Sequence, residues 1–257
     1  MMEKLLKKYR YLLILTLLLV FNICVIINNR NYYFMSRKVV VTNNQEKKLE
    51  YTSKKQYKIK AYYPDIKYPL LDKVITDKIN QSVDNSVFNE SVSVTLQNID
   101  EFKDNVIDVP VKQNQYYTFY LLYDMYSYQD FISYVFSIET YTGGAHPNHD
   151  IFTVTYDKST DKIVTIADLV ETNPNFLDTA SNTAREELIN NPGIVDINML
   201  NSGTTAEVDN FSRFAFSSDG IVFFFTQYQI APYSSGTFEI TVPYSKILPS
   251  NSIKEQE

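Results

Sequence analysis

The stretch Ile221–Phe225 (IVFFF) restricts the fold most, because consecutive large apolar residues leave the strand no face suited to water. An uninterrupted apolar run of this kind needs burial on both faces. It directly follows Asp219-Gly220, a dipeptide typical of a tight hairpin turn. The sequence therefore predicts a hairpin over residues 211–230 whose second strand is covered on both sides.

Periodicity predicts the other elements, and the 21 tyrosines and 16 phenylalanines favour sheet. Strands are expected over 54–64, over two runs within 115–141, from 152 to 156 and over 237–248. Apolar residues at helical spacing predict an amphipathic helix, and they are Leu71, Val74, Ile75, Ile79, Val83 and Val87. Further helices are expected over 166–170 and 175–191. Segregated strands and helices indicate an α+β fold with mainly antiparallel sheet and two or three packed helices.

The N-terminus carries an uncharged apolar run over residues 11–29, long enough to cross a bilayer as a helix. Basic residues precede it, which favours a cytoplasmic N-terminus: Lys4, Lys7, Lys8 and Arg10. No small-x-small cleavage site follows, so residues 1–29 are interpreted as a cytoplasmic tail and an uncleaved transmembrane signal-anchor. The polar residues 30–53 are interpreted as a stalk. The expected localisation is the plasma membrane, single-pass, with the bulk of the chain extracytoplasmic.

Charge and cysteine content exclude several kinds of function. Residues 30–257 hold 20 basic and 29 acidic residues, a net charge of −9, which argues against nucleic-acid binding and favours a cationic partner. The single cysteine, Cys24, lies in the apolar run, so an intrachain disulfide and a cysteine metal cluster are excluded.

The stretch 141–149 (YTGGAHPNH) contains both histidines of the chain, His146 and His149. Zinc needs three or four protein ligands, and further histidines or an available cysteine are lacking, so no metal and no cofactor are expected. A general base at His146 would need a nucleophile and an orienting carboxylate, and no G-x-S-x-G elbow is present. The favoured interpretation is a structural turn built from Gly143, Gly144, His146 and Pro147, because glycines permit positive φ. No catalytic residue is assigned.

Tyrosines supply the candidate binding residues, because an exposed tyrosine buries much area at little entropic cost. Tyr126 and Tyr128 lie in the tyrosine-rich strands, and Tyr228 and Tyr233 lie in the segment QYQIAPYSSG over 227–236. With His146 they form the predicted binding set.

The order of YTGGAHPN, YDKSTDKIVTIADLV and FSSDGIVFFFTQYQIAPYSSGTFEITVPYSKI resembles the extracytoplasmic domain shared by RsiV-type anti-sigma factors and PdaC-type peptidoglycan deacetylases. The upstream stretch YKIKAYYPDIKYPLLDKVITDKIN is similar to the small domain that precedes it in those proteins. The resemblance implies a small PdaC-like α/β subdomain over 54–112 and an RsiV-like α+β domain over 113–250. In RsiV-type proteins this domain binds lysozyme, a cationic enzyme.

Two departures from that family shape the expected function. About ten residues precede the apolar run, too few for a sigma-factor-binding segment, and a deacetylase T-F-D-D-G-P-like motif is lacking. The expectation is a non-catalytic, membrane-anchored binding or sensing protein of the bacterial envelope, with lysozyme or peptidoglycan as candidate ligand. The alternatives are a peptidoglycan-modifying hydrolase that uses the His146 loop, and a purely structural envelope protein.

Overall fold

The computed structural model describes residues 46–52, 57–87 and 117–247. The predicted signal-anchor over 1–29, most of the stalk and residues 88–112 of the predicted small subdomain lie outside these residues. Within the described ranges, no helix has the length and apolarity needed to cross a bilayer.

The first layer of the fold is a six-stranded sheet in the order β1-β2-β3-β4-β5-β6. Neighbouring strands are antiparallel except β2 and β3, which are parallel. The bounds are β1 Glu46–Thr52, β2 Tyr57–Pro64, β3 Tyr117–Tyr128, β4 Phe131–Tyr141, β5 Asn148–Asp157 and β6 Lys162–Val164. Strand β1 falls inside the segment interpreted as a stalk from its polar composition.

A second, three-stranded antiparallel sheet follows, in the order β7-β8-β9. Its bounds are β7 Phe214–Phe216, β8 Gly220–Phe225 and β9 Phe238–Pro243. The helices are α1 Pro69–Val87, α2 Ile166–Thr172, α3 Phe176–Leu188, α4 Ile197–Gly203 and α5 Tyr244–Ile247, with 3-10 turns at Val208–Phe211 and Tyr233–Ser235. The predicted α+β class is confirmed, with mostly antiparallel sheet.

Helix α1 covers one face of the six-stranded sheet. Its residues Leu71, Ile75 and Ile79 are fully buried and recur every four residues, within the helical pattern that the sequence showed. They pack against alternate residues of β2 to β5, which form the first core with them: Ile59, Ala61, Phe119, Leu121, Tyr134, Phe136, Ile138, Val154 and Tyr156. The apolar residues that alternate along β2 and β4 therefore lie on the face of the sheet that packs against α1.

The opposite face of this sheet receives the β7–β8 hairpin over part of its length. Ala215, Val222 and Phe224 pack there against Val135 and Ile151. The other face of the hairpin packs against the helices in a second core, whose largest members are Phe176, Leu200, Phe211, Phe214, Phe216, Phe223 and Phe225. Strand β8 is buried along its whole length, as the uninterrupted run Ile221–Phe225 predicts.

Side chains of the six-stranded sheet accept hydrogen bonds from backbone N–H groups at the outer edge of β7. The N–H of Phe214 donates to Thr153 Oγ1 at 3.1 Å, and the N–H of Phe216 donates to Ser133 Oγ at 3.1 Å. Ser133 also hydrogen-bonds Thr155 across the β4–β5 pair, Oγ to Oγ1 at 2.9 Å. An edge strand presents backbone groups without a partner strand. The hydroxyls of Thr153 and Ser133 supply acceptors for two such N–H groups of β7.

We expect Ser133→Ala to lower the free energy of unfolding by about 1–3 kcal/mol, because the substitution leaves the buried Phe216 N–H without its acceptor. Thermal unfolding followed by circular dichroism measures the change. Ser137→Ala is the matched control, since Ser137 lies on the same face of β4 and is less buried. Equal losses in the two variants would contradict the role given to Ser133.

Candidate binding site

The loop between β4 and β5 takes its shape from its two glycines. Gly143 and Gly144 have φ angles of +94° and +113°, a region that residues with a Cβ rarely adopt. The hydroxyl of Tyr141 donates to the carbonyl of Gly144 at 3.1 Å and closes the loop on the end of β4. His146 is thereby held at the surface just before β5 begins.

The carbonyl of Pro147 joins this loop to the segment after β8. It accepts a hydrogen bond from the hydroxyl of Tyr233 at 2.7 Å, and His146 Nδ1 lies 2.9 Å from the same oxygen. Since a carbonyl can only accept, this contact selects the tautomer with the proton on Nδ1. The imidazole thus bonds within its own loop through Nδ1.

The side chain of Gln229 fixes the segment 226–237 to the end of α4 and to the first 3-10 turn. Its side-chain Nε2 donates to the carbonyls of Gly203 and Asn210, at 3.1 and 3.0 Å. Ile230 and the adjacent alanine are buried, while Tyr228 has a φ of +66° and a side chain that is 60% exposed. A left-handed tyrosine is strained, and such strain persists where the surrounding structure enforces it. The segment therefore presents its aromatic rings outward from a fixed base.

Four rings meet at the surface, three from the two loops and one from the start of β5. They are His146, Tyr228, Tyr233 and His149, which we call the loop aromatic cluster. The Tyr233 ring stacks on His146 with a centroid distance of 3.9 Å. It also lies 5.8 Å from the ring of Tyr228 and 6.1 Å from that of His149. Tyr233 is therefore the centre of the cluster.

His149 also connects the cluster to the sheet. It pairs with Glu139 across β4 and β5, and its Nε2 lies 3.8 Å from Glu139 Oε2. The two side chains are 35% and 39% exposed, slightly more than a third in each case. This pair was not predicted from the sequence, and the cross-strand register is the signal that identifies it.

The other predicted binding residues lie elsewhere. Tyr126 packs edge-on against Phe224 between the two sheets, at 6.1 Å. Tyr128 stacks on Tyr244 at 4.5 Å, beside the second core. Burial raises the pKa of the Tyr244 hydroxyl, which donates to the carbonyl of Ser217. The structure brings Tyr228, Tyr233 and His146 together and does not bring Tyr126 or Tyr128 to them.

The chemistry available to the cluster is stacking and hydrogen bonding. His146 Nδ1 bonds the Pro147 carbonyl and its ring stacks on that of Tyr233, whose hydroxyl donates to the same carbonyl. Across residues 46–52, 57–87 and 117–247, no group of three or more histidine, cysteine, aspartate or glutamate side chains could hold a metal ion.

Two family models match adjacent parts of the chain. Residues 50–149 match the family described as deacetylase PdaC, and residues 150–245 match the protein of unknown function family DUF3298. The boundary between the matches falls inside β5, so the six-stranded sheet draws strands from both.

The chain is also similar to a characterised protein. It is 34% identical over 126 residues to the peptidoglycan-N-acetylmuramic acid deacetylase PdaC of Bacillus subtilis (strain 168). This match covers 49% of the chain and 27% of the deacetylase, so the chain spans about a quarter of that relative's length.

A solved structure from the DUF3298 family is similar in fold. A DUF3298 family protein from Pseudomonas aeruginosa PAO1 has a TM-score of 0.60 at 16% identity, covering 80% of this chain and 93% of its own. A member from Bacteroides fragilis has a TM-score of 0.48 at 15% identity, with 81% and 95% covered. The resemblance expected from the sequence is confirmed: the chain carries a PdaC domain over residues 50–149 followed by a DUF3298 domain over residues 150–245.

Proposed function

We propose that this chain is a membrane-anchored, extracytoplasmic protein that binds a ligand of the bacterial envelope without catalysis, through the loop aromatic cluster. The proposed anchor is the apolar run over residues 11–29. The observation that carries the proposal is the contact of Tyr233 with both His146 and Tyr228 at the surface. Rings held in place and partly exposed are good anchors for a ligand, because little entropy is lost when they are covered.

The envelope as the site of action is supported by the relative from Bacillus subtilis, whose name describes action on peptidoglycan. The lysozyme candidate is supported by the resemblance to RsiV-type proteins and by the net charge of −9 over residues 30–257. Opposite net charges accelerate encounter of the two partners. Lysozyme and peptidoglycan are therefore the two ligands to test first.

The enzyme alternative has less support from the site. A hydrolase using His146 would need a nucleophile within hydrogen-bond reach, whereas His146 bonds a carbonyl and stacks on Tyr233. A carboxylate partner lies beside His149 instead, at Glu139. The arrangement favours binding.

We expect the full chain, purified in detergent, to be retained on immobilised lysozyme or to sediment with peptidoglycan, and Tyr228→Ala to weaken that binding about tenfold by removing an exposed ring anchor. Binding is measured by titration at physiological salt, with circular dichroism to confirm that the variant is folded.

The outcomes separate the alternatives. A dissociation constant weaker than about 1 mM overturns the lysozyme candidate, and the same result with peptidoglycan overturns binding and favours a structural role. Turnover of peptidoglycan that His146→Ala abolishes while the fold is kept would establish the hydrolase in place of the binder.

A further inference from the structure

Four side chains form a row across neighbouring strands of the six-stranded sheet. The registers pair Lys60 with Tyr120, Tyr120 with Glu139, and Glu139 with His149. Their neighbours along the chain are buried toward α1, so the row lies on the opposite face: these neighbours include Ile59, Phe119 and Ile138. We call the four residues the cross-strand row.

The cross-strand row continues into the loop aromatic cluster. His149 belongs to both, and its ring centroid lies 6.1 Å from that of Tyr233. At the other end, Lys58 precedes Lys60 by two residues in β2 and so lies on the same face, and its Nζ is 5.9 Å from the centroid of the Tyr120 ring. The surface is accessible, since Leu122 beside the row is 53% exposed. Three strand spacings make the row roughly 14 Å long, which suits an extended ligand.

We propose that the cross-strand row and the loop aromatic cluster together bind a linear glycan that bears carboxylates, the chemistry of a peptidoglycan strand. This inference rests on the proposed binding function and names its ligand class. The rings of Tyr120 and Tyr233 stack on pyranose faces. Glu139 and His149, between them, hydrogen-bond hydroxyl and acetamido groups, and the Lys58 ammonium receives a carboxylate.

The position of the polar groups favours a glycan over a protein. A protein hot spot has an apolar, desolvated centre with its charges at the rim. Here Glu139 and His149 lie between Tyr120 and Tyr233. Their side chains are 39% and 35% exposed, slightly more than a third in each case. A sugar presents both an apolar ring face and hydroxyls, and so matches alternating rings and polar groups.

The net charge of −9 does not oppose this ligand at close range. At physiological salt the screening length is about 8 Å, so distant carboxylates act weakly on a group bound at the row. Lys58 lies at the Tyr120 ring, within that length. Lys58 and Lys60 therefore favour a carboxylate at the β2 end of the row, on the opposite side of Tyr120 from Glu139.

The test uses the full chain in detergent and two probes. One is glycan strands freed of stem peptides by an amidase, which exposes lactyl carboxylates. The other is chitotetraose, an uncharged oligomer of N-acetylglucosamine. We expect the stripped strands to bind about fivefold more tightly, as one exposed ion pair allows. Tyr120→Ala should weaken both about tenfold. Lys58→Gln should lower the preference for the stripped strands, and the double variant Lys58→Gln with Lys60→Gln should remove it.

Lys73→Gln is the charge-matched control, because Lys73 lies on α1, on the other side of the sheet, paired with Asp77. It should change neither affinity. The proposal is overturned if Lys73→Gln acts like Lys58→Gln, or if a folded Tyr120→Ala binds both probes as the parent does. Binding of lysozyme without binding of either glycan overturns this inference and leaves the proposed function standing. Failure of lysozyme and both glycans overturns both.

Discussion

Gly203→Ala is expected to lower the free energy of unfolding by about 3 kcal/mol or more, near the upper end for an overpacked site. A Cβ on Gly203 would lie 2.0 Å from the carbonyl oxygen of Gln229 and 2.7 Å from its carbon. Both atoms are backbone, so no rotamer change relieves the clash. The end of α4 or the segment after β8 has to move. For a domain of this size the melting temperature should fall by about 6–12 °C, measured by circular dichroism.

The same variant should also weaken ligand binding, because Gly203 supports the base of the loop aromatic cluster. Its carbonyl accepts from Gln229, and the segment that carries Tyr228 and Tyr233 rests on that contact. Asn201→Ala is the control, since it is an exposed position on the same helix. A Gly203→Ala protein with the melting temperature of the Asn201→Ala protein would contradict the close approach of the two backbones.

Local pattern was sufficient to predict the elements that stabilise the two cores. The hairpin at Asp219-Gly220 forms as expected, with Ser217 N–H donating to the Gly220 carbonyl at 2.9 Å. The alternation of β4 is also confirmed, since Tyr134 and Phe136 face α1 while Ser133 and Val135 face the second sheet. Such patterns are predictable because burial repeats with the period of the element.

Weak local patterns account for the elements that were not predicted. Strand β1 has the sequence EKKLEYT, whose single leucine gives no apolar alternation, and pairing with β2 makes it a strand. Helix α4 has the sequence INMLNSG, too short for a helical period to show. Its Asp196 caps the helix by accepting from Asn198 N–H at 2.8 Å, a signal that precedes the helix by one residue.

The arrangement of the candidate site could not be predicted from the sequence because it depends on contacts between residues far apart along the chain. Tyr233 and the loop of His146 are joined by a hydrogen bond to Pro147 over 86 residues. Proximity along the chain does not show how a tyrosine packs: Tyr126 and Tyr128 lie within one tyrosine-rich run, and each packs against a residue of the C-terminal part. Tyrosine content therefore predicts only candidate anchors, and tertiary packing determines that Tyr228 is exposed while Tyr126 and Tyr128 contact other rings.

Phe223→Ala is expected to cost about 3–5 kcal/mol of unfolding free energy, as deletion of a fully buried ring does. Phe223 is 0% exposed at the middle of β8, and its ring contacts Phe211 edge-on at 5.2 Å and Phe176 at 6.0 Å. The cavity would lie between the sheet and the helices, where neither layer can close it without moving the other. Thermal unfolding by circular dichroism measures the loss.

Tyr228→Ala is the comparison that gives this experiment its meaning, because it removes a ring that is 60% exposed from the same C-terminal part of the chain. Its cost in stability should be about 0.5 kcal/mol or less, since little apolar area returns to water. We expect Phe223→Ala to lose stability with the loop aromatic cluster chemically intact, and Tyr228→Ala to lose binding with stability intact. Equal losses of stability in the two variants would mean that Tyr228 belongs to the core and is not a binding residue.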